Sequence, residues 1–285
     1  MNTEKRRILL AGGGDLCRRT GDILLAQGHD VWALRRHPPA DDTAGLRWLA
    51  ADLSQAATLA ALPGGISHVL YAVAPGERSP QAYRSVFLDG AANLLAALNH
   101  EALRRFVFVS SSAVYGASED WVDEDTPARP QGYNGEIVLE AENHLRRSLG
   151  RKAVTLRLSG LYGPGRTQLL DRLRQGRAAV IQDPPHWTNR MHIEDAARAC
   201  AHLLMLDGAQ PCYVGSDDRP MPMAQLYDTL ADMLSAPQPP RTDTPRIAAG
   251  SKRLCNARLK ASGFALRWPD AIEGYRALIE AGDAR

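Results

Sequence analysis

The chain alternates between two hydrophobic patterns. Short apolar runs at residues 7–11 (RILLA), 30–34 (DVWAL), 46–49 (LRWL), 67–74 (SHVLYAVA), 105–109 (RFVFV) and 153–158 (AVTLRL) have the length of buried strands. Between them, apolar residues recur at helical spacing over 18–27, through Tyr83, Phe87, Gly90, Leu94 and Leu98, and over 136–149. Ser54 is placed to cap a helix that runs to Leu62. Such strict strand–helix alternation predicts an α/β fold with a doubly wound parallel sheet and right-handed crossovers. The pattern loosens after Gly163, where Pro184, Pro185, Pro220 and Pro222 break the chain into short pieces. Beyond that point residues 194–206, with Ala197, Cys200, Leu203 and Leu204 on one face, and 212–214 still read as core.

The first apolar run leads into Gly12-Gly13-Gly14-Asp15-Leu16-Cys17 and then a helical pattern, the order of the first turn of a dinucleotide-binding Rossmann fold. Gly12 permits the tight turn, and Gly14 lets the backbone approach a pyrophosphate that the following helix start, with Asp15 and Leu16, would hold. Cys17 stands where the third glycine usually packs helix against strand. The second strand ends in Arg35-Arg36 rather than in an acid that would take both ribose hydroxyls. Two guanidinium groups suit a 2′-phosphate, so NADP is expected over NAD, with NAD left open. Asp52, beside Leu53, is placed either to accept the adenine amino group or to begin the turn before Ser54, and both readings stay open. Ala72 and Val73 at the end of the fourth run complete the expected cofactor contacts. The expected division is a dinucleotide-binding domain over 1–165 and a smaller, less regular C-terminal substrate region over 166–285, with 190–215 returning to the first domain.

Composition narrows the partners. With 34 basic and 32 acidic residues the formal charge is +2, and no basic block is present, so neither nucleic acid nor an anionic membrane is indicated. Cys17, Cys200, Cys212 and Cys255 show no C-x-x-C spacing, which points to buried thiols in a reducing compartment rather than to disulfides or a metal site. The apolar stretch at 8–11 is too short for a signal peptide or a membrane span, and a cytoplasmic protein is expected.

Further along, residues 110–116 (SSSAVYG), 157–165 (RLSGLYGPG) and 190–195 (RMHIED) carry a family pattern. With the glycine turn they resemble the extended short-chain dehydrogenase/reductases, specifically the NAD-dependent epimerase/dehydratase group. Residues 89–95 (DGAANLL) and 124–127 (EDTP) are similar to further segments of it, and 251–253 with 256–259 to a divergent, atypical branch. The resemblance implies hydride transfer with nicotinamide, a tyrosine as acid/base, a serine or threonine that polarises the substrate oxygen, and a lysine four residues after the tyrosine. It places the polarising hydroxyl at Ser111, with Ser112 beside it, the tyrosine at Tyr133, and Tyr162 near the cofactor. The lysine position is Ile137, and a shift of one residue puts Val138 there instead.

A phenol with a reference pKa of ~10 needs a nearby cation to act as a base near neutrality. Without one, Tyr133 can still give a proton to a developing alkoxide, so reduction is favoured over oxidation. Glu136 is no substitute, since a carboxylate beside the phenol pushes its pKa up. Loops at 75–78, 115–121, 162–166 and 186–190 are expected to shape the substrate pocket with Trp121, Tyr162, Trp187, Arg166 and Arg190. That mixture of apolar planes and cations suits a nucleotide-linked sugar or another small anionic molecule. The expected function is an NAD(P)-dependent oxidoreductase or epimerase/dehydratase-like enzyme. The alternative is an NADP-binding, redox-sensing or partner-binding protein without hydride transfer. The resemblance also implies a homodimer through the helices at 79–99 and 136–149.

Overall fold

The computed structural model describes residues 4–39, 45–181, 184–242 and 250–282. Two compact units emerge: Met1–Val114, Gly132–Arg157 and Ala197–Tyr213 form one, and Tyr115–Gln131, Leu158–Ala196 and Val214–Arg285 the other. The segment that returns to the first unit is thus 197–213, and the second unit already claims 115–131.

Seven strands form the main sheet, β1 (Arg7–Ala11), β2 (Asp30–Arg35), β3 (Arg47–Ala50), β4 (His68–Tyr71), β5 (Arg105–Ser111), β6 (Ala153–Leu158) and β7 (Cys212–Gly215). Their order is β7-β6-β5-β4-β1-β2-β3 in a parallel sheet. Ile8, Leu9 and Leu10 of β1 are fully buried, as a strand covered on both faces requires, and each contributes roughly 1.5–3 kcal/mol. β1 pairs in parallel with both β2 and β4, so the chain reverses its winding there and opens a crevice beyond their carboxyl ends.

Helix α1 (Asp15–Ala26) follows β1. The stretch read through Tyr83 to Leu98 forms α2 (Pro80–Arg84), one π turn over Ser85–Asp89, and α3 (Gly90–Ala97). Ser79 caps α2 by accepting from the Ala82 amide at 3.1 Å, and Pro80 fits the first helical position, where no amide hydrogen is needed. The helix from Ser54 is instead a 3-10 turn, Ala56–Ala61. Its predicted cap is spent elsewhere, because Ser54 gives both its amide and its hydroxyl to Asp52 Oδ1 at 2.9 and 2.8 Å. Helix α4 (Tyr133–Leu149) begins three residues earlier than the periodicity suggests, and α5 is Ile193–Met205.

In the second unit helices Gln168–Arg174, Met223–Met233 and Ala271–Glu280 enclose a core that includes Leu170, Leu226, Leu230, Tyr275 and Leu278. Short ladders supply its remaining order. Gly160–Tyr162 pairs with Arg190–His192, and Trp121–Val122 with Arg253–Leu254. Among the described residues no helix is long and apolar enough to cross a membrane.

Candidate functional site

The turn after β1 is tied to β2, because the amides of Gly12 and Gly13 both donate to Leu34 O, at 3.3 and 3.0 Å. Gly12 has φ +112°, a conformation that side chains rarely adopt, and a Cβ there would meet Val73 at 2.8 Å. Gly13 is equally constrained, since its Cβ would lie 2.7 Å from Trp48 and 3.0 Å from Arg35 Cβ. Gly14 differs: the nearest atom to a Cβ there is Gly12 O at 3.4 Å. That contact is of ordinary length, and no side chain caps the helix amides behind Gly14 at the start of α1. A cradle of backbone with uncapped amides at a helix N-terminus fits a pyrophosphate. Beneath it, Cys17 packs its thiol 3.8 Å from both Ala11 O and Ala72 O, and burial pushes that thiol up to about 12.

Beside the turn lies a cavity of about 440 Å³ lined by Gly12, Gly13 and Gly14, by Arg35, Arg36 and His37, by Asp52, Leu53 and Ser54, and by Val73, Ser85 and Val86 among others. It therefore gathers Gly12, Gly14, Arg35, Arg36, Asp52, Leu53 and Val73 from the predicted set. Asp15, Leu16, Ala72 and Tyr162 are not in its wall. Asp15 pairs with Arg19 at 2.7 Å, Leu16 is buried, and Ala72 donates its amide to Ala11 O. Tyr162 belongs to the core of the second unit, where it stacks on Tyr275 with ring centroids 4.3 Å apart.

Arg35 and Arg36 make no salt bridge among the described residues. Asp52 performs the turn role directly: the Ser54 amide, then the Ser54 hydroxyl and the Arg36 charge, hold its carboxyl below the usual range. Ser85 and Val86 were not foreseen, and they reach the cavity because Tyr71 donates to Val86 O at 2.6 Å and Asn93 to Leu53 O at 2.9 Å. No local pattern announces those long-range bonds.

At the end of β5, Ser110 and Ser111 are still strand residues and Ser112 opens a 3-10 turn to Val114. Helix α4 packs against this turn and against β5, which brings the element that carries Tyr133 to the serines. Ser111 Oγ accepts from the Ala113 amide at 3.1 Å, so its hydroxyl hydrogen is left to donate. Tyr133, half-buried in the first turn of α4, meets Tyr83 edge-on with centroids 5.4 Å apart. Ile137 and Val138 are each 3% exposed and face inward, and Glu136 is exposed. No turn of this helix places a cation at the lysine position.

Below the serines a buried ion pair locks the elements. Arg157 on β6 grips Glu142 on α4 with Nε to Oε1 at 3.0 Å and Nη2 to Oε2 at 2.6 Å, and Ser110 donates to Glu142 Oε1. In the second unit Trp121, 53% exposed, and Trp187 both face the Arg253 guanidinium, at 5.4 and 5.2 Å. Arg253 had not been singled out. Lys252 beside it is 2% exposed, donates to Tyr115 O and Gly250 O at 3.1 Å, and is lowered to about 8 by burial. Among the described residues no cluster of His, Cys, Asp and Glu could hold a metal ion.

A parallel sheet that changes winding between β1 and β4, with a glycine cradle at that point, defines the dinucleotide-binding Rossmann class. Residues 8–212 match the NAD dependent epimerase/dehydratase family, and the chain belongs to that family. It is 31% identical over 185 residues to protein YeeZ of Escherichia coli K12, a match that spans 62% of this chain and 63% of that protein. It is 28% identical over 264 residues to the 2-alkyl-3-oxoalkanoate reductase of Stenotrophomonas maltophilia, covering 81% of this chain and 77% of that one. A solved structure from Methylobacillus flagellatus, assigned to the NAD-dependent epimerase/dehydratases, superposes with a TM-score of 0.81 at 33% identity, covering 98% of this chain and 99% of that one. The UDP-glucose 4-epimerase of Thermus thermophilus, solved with NAD, shares the fold at a TM-score of 0.80 and 21% identity, covering 96% and 98%.

Proposed function

We propose that this chain is an NADP-dependent oxidoreductase that works in the direction of reduction on a small polar carbonyl compound, sugar-nucleotide-like in its polarity. The observation that carries the cofactor choice is the pair Arg35 and Arg36, both in the cavity wall and neither in a salt bridge among the described residues. A 2′-phosphate gives them the anionic partner that a bare ribose hydroxyl lacks. The structural relative solved with NAD sets the opposing expectation, and the two arginines are what supports NADP against it. Gly12, Gly13, Gly14 and the amides of α1 would hold the pyrophosphate, and Val73 and Leu53 would flank the adenosine half.

When bound, the cofactor supplies the hydride. Ser111 directs its hydroxyl hydrogen at the substrate oxygen, and Tyr133 gives that oxygen a proton as negative charge develops on it. Ile137 puts a hydrophobic residue where the resemblance places a cation, so this reading gives Tyr133 the part of proton donor to the reduced oxygen.

A thermal shift with NADPH and NADH in parallel tests the cofactor. Saturation at a hundredfold the dissociation constant adds ~2.7 kcal/mol to stability, and the larger shift is expected with NADPH. Arg35→Asp combined with Arg36→Ala is expected to reverse that order. Equal shifts in the double variant would remove the arginines from the argument, and no shift with either nucleotide in the wild type would end the proposal. NADPH oxidation across aldehydes, ketones and sugar nucleotides tests the reaction, with Tyr133→Phe expected to lower kcat by about a hundredfold. An unchanged rate in that variant takes Tyr133 out of the mechanism, and saturable NADPH binding without turnover on any compound favours a sensing role.

A further inference from the structure

The first unit has a second cavity, of about 910 Å³, at the opposite end of the sheet from the glycine cradle. Its wall is formed where β1, β4 and β5 begin, at Arg7, His68 and Arg105, and where α5 ends, at Met205. Six cationic side chains and three carboxylates line it, a surplus larger than the +2 carried by the entire chain. The carboxylates are partly spent. Asp30 is taken by Arg7 at 2.9 Å and by Arg47 at 3.4 Å, which leaves Lys5, Arg6, Arg104 and Arg105 against Glu4 and Asp207.

Hydrogen bonding shows the same shortage of acceptors. Arg105 donates Nη2 to Leu206 O at 2.9 Å, while its buried Nε and Nη1 have no partner among the described residues. Arg6 Nη1 lies 3.3 Å from His68 Nε2, and His68 Nδ1 lies 2.8 Å from Ser67 Oγ, which donates to Arg7 O at 3.2 Å. The guanidinium can only donate, so the ring presents a bare Nε2 to it and carries its hydrogen on Nδ1. His68 is therefore neutral in a positive surrounding. Burial first, then Arg6, Arg105 and His29, lower it to about 4. A histidine recruited as an acceptor by arginine is what a site without enough anions produces.

We propose that this cavity binds a small soluble oligophosphate anion through Lys5, Arg6, Arg104 and Arg105, independently of the dinucleotide site. Several phosphate oxygens in a row match several guanidinium groups around one opening, where a single carboxylate would leave most donors unmet. The His68 ring in the wall feels Arg6 on the chain before β1, Arg105 on β5 and His29 before β2, and a bound anion's charge would offset the repulsion that adds to burial in keeping His68 neutral.

The test uses the full chain and inorganic triphosphate, titrated by calorimetry at constant ionic strength, with sulfate as the screening control. Saturable binding with one triphosphate per chain is expected. Lys5→Ala with Arg104→Ala, both exposed positions, is expected to weaken it by about tenfold or more, the cost of lost charge-assisted hydrogen bonds. In the wild type, the His68 ring resonance is expected to report a pKa raised above about 4 by triphosphate. Heats that match sulfate, or a His68 titration that triphosphate leaves in place, would overturn the proposal. So would a loss of affinity on changing Arg35 and Arg36 that the Lys5 and Arg104 changes do not reproduce, because the anion would then sit in the dinucleotide cavity.

Discussion

Replacing Glu142 with alanine is expected to lower the unfolding free energy by about 3–5 kcal/mol, a large part of the stability of a domain. Glu142 is 1% exposed and Arg157 5% exposed, so neither charge can turn to water when its partner is removed. The pair is worth little net against a hydrophobic replacement, because desolvation offsets most of its attraction. Breaking it is another matter, since the Arg157 guanidinium stays buried without its carboxylate and Ser110 loses its acceptor. Urea unfolding near neutrality measures the effect as a lower midpoint at constant slope. Glu142→Leu combined with Arg157→Leu is expected to recover most of the loss. A single-variant loss below about 1 kcal/mol would mean that the pair is hydrated and does not lock α4 to the sheet. The lock has a functional address: α4 carries Tyr133, and Ser110 precedes Ser111 on β5.

That pair also shows how far the residue pattern reaches. Along α4 the inward stripe is Val138, Glu142, Leu145 and Leu149, and Arg157 interrupts the apolar run of β6. A carboxylate on one buried stripe and a guanidinium in another demand each other, so the signal was present in the sequence, though helical periodicity alone treats Glu142 as one more surface charge. The sheet was legible because a strand covered on both faces must be an unbroken apolar run, and 153–158 coincides with β6 to the residue. The start of α4 was not, because Gly132, Asn134 and Gly135 are weak helix formers and no side chain caps the first turn. The glycine cradle was legible at Gly12 and Gly14. Gly13 was not, since its constraint comes from Trp48, 35 residues away on β3. Arg253 between Trp121 and Trp187 belongs to the same class: the pairing of Trp121–Val122 with Arg253–Leu254 brings Trp121 to it, and the hydrogen bond from the Trp187 amide to Ser251 Oγ at 3.0 Å ties Trp187 to the same segment.

Asp217→Asn is expected to make the protein more stable in mild alkali, by an amount on the order of 5 kcal/mol. Asp217 is 1% exposed, and both carboxyl oxygens lack a hydrogen-bond partner among the described residues. Burial raises its pKa from 3.8 to about 8. Asp270 adds to the rise, while the amides of Arg219 and Ala271 and the Arg190 charge oppose it without any of them closing a hydrogen bond. The loop cannot move aside to hydrate the carboxyl, because its amide donates to Arg190 O at 2.7 Å and Asn256 holds Ser216 O at 2.8 Å and Asp217 O at 3.2 Å. The folded chain therefore keeps a proton that the unfolded chain gives up near 3.8. With more protons bound to the folded state, stability is full below about pH 4, falls as pH rises, and levels off above about pH 8. An amide at this position carries no charge at any pH and removes that slope. Urea unfolding of both proteins at about pH 4 and about pH 8 isolates the effect, because His68, Glu124 and other groups that titrate in the window are common to both. Equal slopes in the two proteins would show that Asp217 is charged and hydrated in the folded state. A smaller slope in the variant would establish a carboxylic acid, neutral up to about pH 8, beside Arg190 and the Tyr162 hydroxyl, which has no partner among the described residues, held in place by the residue that ends the Ser251–Asn256 segment.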